Sequence, residues 1–228
     1  MSIFIATEIL DKILRYVLMS FCLFFFIYLL LIYNKAKKAK MELKAKFQLT
    51  FSIFFLTFFI NYLQTEIILI EKIINYPDII PDNFVVLNLF HPADGDLFLL
   101  VIFLSGVIPL IYVLEKYMIK KKLIITTLGL IGFIFCIVGV FYSNEIVLNL
   151  IIPYEYVILI LISLFVIIFY LQIAIKSKAE LRLTGLLISI GFLLQLIGLF
   201  ITSNSNIFGH ILDISGMILI FIGVLKIK

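Results

Sequence analysis

Apolar residues run through this chain in seven long blocks, and polar residues gather in the gaps between them. Each block is roughly 20 residues long, enough for an α-helix to cross a hydrocarbon layer about 30 Å thick. Such a layer offers the backbone no water to bond, so helices are the expected form. The pattern predicts spans at about 13–33, 47–70, 97–116, 123–143, 152–174, 182–202 and 207–226. The predicted fold class is all-α: a polytopic membrane protein, with residues 1–228 forming a single seven-helix transmembrane domain.

Composition agrees with the pattern. The chain is 64% hydrophobic and 14% charged, with a mean hydropathy of +1.25, whereas soluble domains are about a quarter charged. Cys22 and Cys136 fall inside apolar blocks, so they read as small buried hydrophobes and not as a disulfide framework. No small-residue cleavage site follows the first block, which is therefore expected to be a retained span and not a signal peptide.

Charge predicts the orientation. Lys35, Lys37, Lys38, Lys40, Lys44 and Lys46 crowd the first gap, and Lys116, Lys120, Lys121 and Lys122 the third. Lys176, Lys178 and Arg182 mark the fifth gap, and Lys226 and Lys228 the chain end. Together these are 15 of the 18 basic residues, all on one side; Lys12, Arg15 and Lys72 lie on the other. The positive-inside rule then predicts an N-out, C-in protein, expected in the plasma membrane of a prokaryotic cell. The six first-gap lysines are expected to contact anionic lipid or a partner. The net charge of +4 sits in short loops and does not suggest nucleic acid.

Two segments look alike. "FFIYLLLIYNKAKKAKMELKAKFQLTFSIFF" and "VIIFYLQIAIKSKAELRLTGLLISIGF" both pass from apolar to lysine-rich to Glu-Leu-basic and into the next span. This suggests spans one to three and five to seven as parallel repeats, a 3+1+3 plan found in SWEET-type transporters.

Candidate chemistry lies in the outer halves of the spans. Gly191, Gln195 and Gly198 in span six share one spacing with Gly209, Asp213 and Gly216 in span seven. Positions i, i+4 and i+7 share a helix face, and small residues let helices approach closely in lipid. Gln195 and Asp213 are therefore expected to meet across that interface. Asn61 and Gln64 share a face of span two with Thr57, Glu155 enters span five from outside, and His210 lies one turn above Asp213. The predicted ligand site is thus Asn61, Gln64, Glu155, Gln195, His210 and Asp213. His91, Asp94 and Asp96 have no specific metal-ligand spacing, and no metal site is expected. Nor does any nucleophile–base or phosphate-cradling motif occur, so the protein is not expected to be an enzyme. Pro109 is expected to kink span three.

"LDISGM", Leu212 to Met217, resembles the retinal-binding seventh helix of microbial rhodopsins. That resemblance implies an acid at Asp213 and a Schiff-base lysine four residues later, where Met217 stands instead. Covalent retinal is argued against, and no cofactor is expected. The overall layout, with "ELRLTGLLISIGFLLQLIGLF" opening span six, is similar to the seven-helix membrane sensor regions of prokaryotic histidine kinases. It implies a receptor-like sensor with a small-molecule site in its outer half. Because the chain stops at Lys228, signalling is expected to pass to a separate cytoplasmic partner. The alternatives are a small transporter built from the two repeats, or a structural or lipid-organising membrane protein.

Overall fold

In a computed structural model, residues 2–75, 92–119, 123–141, 145–177, 179–201 and 206–227 are described. They form α1 (Ser2–Lys38), α2 (Glu42–Asn75), α3 (Pro92–Val113), α4 (Ile124–Phe141), α5 (Glu145–Lys176), α6 (Ala179–Ile201) and α7 (Asn206–Leu225). α3 runs past Pro109 and continues into a π-helical turn at Leu114–Ile119. Each of the seven expected spans falls on one helix. Among the described residues, four helices carry stretches long and apolar enough to cross a membrane: Leu10–Lys38, Glu42–Gln64, Leu181–Gly198 and Ile207–Leu225. Shorter apolar stretches occupy Ile124–Val138 and Ile160–Lys176. Large apolar side chains also face outward, Ile134 at 58% and Ile175 at 70% exposure among them. A hydrocarbon surrounding suits such a surface, and water does not.

The helices follow one another round a ring. α2 packs on α1 and α3, α3 on α4 and α5, α5 on α6, α6 on α7, and α7 returns to α1. One end of the ring, the basic end, carries the first-gap lysines; the opposite end holds the start of α1, the end of α6 and the start of α7.

α1 shows how a single stripe builds the interior. Leu18, Cys22, Phe25 and Leu29 are buried, and their alternating spacing of four and three residues keeps them on one face. Midway along the bundle, Phe25 stacks on Phe221 of α7, with ring centroids 3.9 Å apart, and meets Phe55 of α2 edge-on at 5.1 Å.

Small residues bring the later helices close. A Cβ on Gly216 of α7 would lie 2.6 Å from the Gly191 carbonyl oxygen of α6, and one on Gly191 2.7 Å from that of Gly216. A Cβ on Gly185 of α6 would lie 2.6 Å from the Tyr170 carbonyl oxygen of α5. Hydroxyls add crosslinks, with Ser52 donating to the Phe26 carbonyl and Ser189 to the Ile167 carbonyl, both at 3.1 Å.

Two helix termini at the basic end have specific solutions. α1 stops in a Schellman motif: Met41 N–H bonds the Ala36 carbonyl at 3.0 Å and Lys40 N–H that of Lys37 at 3.1 Å. Lys40 takes the left-handed conformation this requires, φ 57°, without being the glycine that usually fills it. At the start of α4, the buried Glu115 carboxylate accepts from the amides of Ile125 (2.9 Å) and Thr126 (2.8 Å) and from the Thr126 hydroxyl (2.5 Å). A side chain from the π turn thus satisfies orphan amides and complements the positive end of the α4 dipole.

Candidate functional site

The stripe that buries Leu18 and Cys22 continues towards the start of α1 through Arg15 and Asp11, at the same spacing of three and four residues. Both charged residues therefore point into the bundle. Arg15 Nη2 lies 2.9 Å from Asp11 Oδ2, one helical turn away. Its Nη1 lies 3.8 Å from Glu66 Oε1 on α2. Asp11 Oδ1 in turn lies 3.2 Å from Nε2 of His210 on α7. Three helices thus meet in one charged network, in which the side chains of Glu66 and His210 are only 7% and 8% exposed.

The network is ion-paired but poorly hydrogen-bonded. Among the described residues, Asp11 Oδ1, Arg15 Nε, Glu66 Oε1 and both ring nitrogens of His210 are buried without a hydrogen-bond partner. The His210–Asp11 contact, at 3.2 Å, is the closest approach between helices in this network. Buried polar atoms are normally satisfied, and each unsatisfied one costs about 1–3 kcal/mol.

Polarity fades with depth below this network. One turn further in, the Tyr62 hydroxyl of α2 donates to Asp213 Oδ2 of α7 at 3.3 Å. Another turn in, the Cys22 thiol lies 3.1 Å from the Met217 sulfur. Met217, at the position where the rhodopsin-like motif would carry lysine, is fully buried. Beneath it comes the Phe25–Phe55–Phe221 cluster. The three helices form a column that is ionic at the end away from the basic end, hydrogen-bonded in the middle and aromatic at its base.

The column contains two of the six expected ligand residues, His210 and Asp213. Gln195 does not bond Asp213, contrary to expectation. Asp213 Oδ1 lies over Gly198, where an added Cβ would sit 2.6 Å away, and its other oxygen faces Tyr62. Gln195 instead lies against Gly216, and its amide nitrogen is buried with no hydrogen-bond partner among the described residues. The cause is register: Gly216 interlocks with Gly191, which brings Gly198 opposite Gly209 and Asp213. Gln195 is thereby set about one turn too deep. Depth counted from the span ends cannot resolve that shift.

Asn61 and Gln64 are partly buried on α2. Their face is that of Thr57, which packs on Gly106 of α3, and it is opposite the face bearing Glu66. Glu155 lies on α5 and its side chain is outside the described residues, as are His91 and the side chains of Asp94 and Asp96. Tyr62, Asp11 and Arg15 are members of the column that reading for intramembrane polar groups passed over. The signal was available in the spacing of Asp11 and Arg15 from the apolar stripe of α1. Comparison of the chain with protein-family models, with curated proteins and with solved structures finds no match in any of the three.

Proposed function

We propose that this protein is a receptor-like seven-helix membrane sensor that binds a small polar molecule between α1, α2 and α7. The observation that carries this reading is the set of polar atoms on Asp11, Arg15, Glu66 and His210 that are buried without a hydrogen-bond partner among the described residues. A network serving only to hold helices together would hydrogen-bond its own polar atoms as well as pair its charges, since leaving such atoms unsatisfied in a low-dielectric interior is costly. A ligand offering both donors and acceptors supplies the missing bonds. With the N-out, C-in orientation that the lysines favour, the site opens towards the outside of a prokaryotic plasma membrane. The basic end then faces the cytoplasm, where Lys35, Lys37, Lys38, Lys40, Lys44 and Lys46 can meet a signalling partner. Ionisable groups at membrane depth are costly and commonly functional, which supports assigning the network a role beyond packing.

The transporter reading is the competitor. The charged network draws on α1 and α2 from the first set of three helices and on α7 from the second. That asymmetric composition favours a receptor over a substrate site shared by equivalent repeats.

Thermal stability of the purified protein against small polar metabolites, lipids and retinoids tests the proposal, with wild type and Glu66→Gln compared. A true ligand at a hundred times its Kd stabilises wild type by about 2.7 kcal/mol and stabilises the variant much less. Binding without flux in proteoliposomes supports the receptor, whereas flux supports the transporter. If no compound separates the two proteins and the variant simply melts lower, the network is a packing device.

A further inference from the structure

A second site lies at the basic end, at the level where helices leave the apolar layer. Lys46, on the second turn of α2, donates from Nζ to the Tyr117 hydroxyl at 2.8 Å, and the same ammonium stands 4.3 Å from the Tyr117 ring centroid. Lys116 bonds the Tyr112 hydroxyl, and its ammonium is 4.9 Å from the Tyr112 ring and 5.7 Å from that of Tyr117. Two cations from different helices therefore share one tyrosine ring. The Lys46 ammonium also holds the Tyr117 hydroxyl below its usual range.

The π turn accounts for this convergence. In a regular α-helix a residue five positions on from Tyr112 would point well away from it. Bonds of the i→i+5 type widen the turn and bring Tyr117 back beside Lys116 and towards α2. The turn is held from behind, because Glu115 at its second position is buried and bonded to the start of α4. Aromatic and ammonium groups are thus pre-arranged, which lowers the entropic cost of binding.

Charge is not balanced at this point. The carboxylate paired with Lys46 is Glu42, 4.0 Å away and 86% exposed, and such an exposed pair contributes little. Lys35, Lys37, Lys38, Lys40 and Lys44 add positive charge along the same end. We propose that Lys46 and Lys116, flanked by Tyr112 and Tyr117, bind the phosphate of an anionic phospholipid headgroup. A phosphate between the two ammoniums relieves their repulsion and accepts charge-assisted hydrogen bonds, while the tyrosine rings occupy the headgroup level they favour. This inference rests on the membrane reading and is independent of the ligand column.

The test is retention of phosphatidylglycerol by full-length protein, measured by native mass spectrometry after exchange from mixed phosphatidylglycerol and phosphatidylcholine micelles. Lys46→Gln with Lys116→Gln is compared with Lys37→Gln with Lys38→Gln, which removes equal charge outside the site. Losing the charge-assisted phosphate bonds of both ammoniums predicts a drop of roughly ten- to thirtyfold for the first pair. The second pair has no such bonds to lose and removes only screened attraction, for an expected loss of less than about threefold, and Lys46→Arg with Lys116→Arg is expected to retain binding. Equal losses for the two glutamine pairs, or none for the first, overturn the proposal. Displacement of the lipid by millimolar inorganic phosphate as effectively as by added phosphatidylglycerol also overturns it, assigning the site to a soluble anion.

Discussion

Replacing Gly216 by alanine tests the interlocked α6–α7 seam most directly. The new Cβ would lie 2.6 Å from the Gly191 carbonyl oxygen and 2.9 Å from Gln195 Cγ. A carbon normally approaches a carbonyl oxygen no closer than about 3.3 Å, so the helices must part by roughly 0.7 Å. Gaps of that size forfeit a quarter to a half of each dispersion contact they open. Overpacking costs about 1–3 kcal/mol, and the upper part of that range applies because the obstacle is backbone and cannot rotate away. Alanine returns about 0.5–1 kcal/mol through its better helix propensity. The net loss is about 2 kcal/mol, or a Tm lower by about 4–8 °C for a chain of this size. Gly129→Ala is the control: its Cβ would meet Ile108 Cγ1 at 3.3 Å and Ile162 Cδ1 at 3.5 Å. Those are side-chain atoms that can yield, so the propensity gain prevails and Tm stays level or rises slightly. Both variants are measured by differential scanning fluorimetry in one detergent. If Gly216→Ala melts with Gly129→Ala, the seam is looser than described and the register argument for Asp213 fails with it.

Other substitutions probe the remaining features. Lys40→Gly relieves a left-handed residue at the end of α1 and is expected to stabilise by about 1 kcal/mol, read as a raised Tm that Lys40→Ala does not reproduce. Glu115→Gln weakens the charge-assisted bonds to the start of α4 and costs about 1–3 kcal/mol; hydrogen exchange at the Ile125 and Thr126 amides rises in step. A double-mutant cycle of Tyr62→Phe with Asp213→Asn gives a coupling near 0.6 kcal/mol, the average for polar pairs between membrane helices. Gln195→Leu removes an amide nitrogen that is buried without a hydrogen-bond partner among the described residues and is expected to be neutral or stabilising by about 1 kcal/mol. A clear loss of Tm in Gln195→Leu would show that Gln195 has a partner after all.

How far the structure could be read from the sequence depended on which physical signal each feature left. Seven helices were legible because an apolar block of spanning length leaves the backbone few alternatives. The glycine stripes of α6 and α7 were legible for a similar reason, since only one face of each helix carries them. Their register was not, because glycines seven residues apart can also interlock two turns up or down, and only the packed helices choose. Asp11 and Arg15 resemble the charged approach to a span when read by residue type, although their spacing places them on the buried stripe of α1. The face of Tyr62 towards Asp213 depends on the α1–α2–α7 contact, which joins positions 151 residues apart. Nothing in Leu-Glu-Lys-Tyr-Met-Ile marks a π turn, so the convergence of Lys46 and Lys116 leaves no trace in the linear pattern.

On the membrane reading proposed above, the Asp11–Arg15 pair bears on how α1 is inserted during synthesis. α1 emerges long before Glu66 and longer still before His210, so when it leaves the ribosome those distant partners do not yet exist. An unaccompanied arginine is costly to insert. The aspartate one turn earlier on the same helix, 2.9 Å from the guanidinium, partly neutralises it before any other helix arrives. α1 therefore carries its own counter-ion, and the ring can be completed by α7 around a charge already made tolerable to lipid.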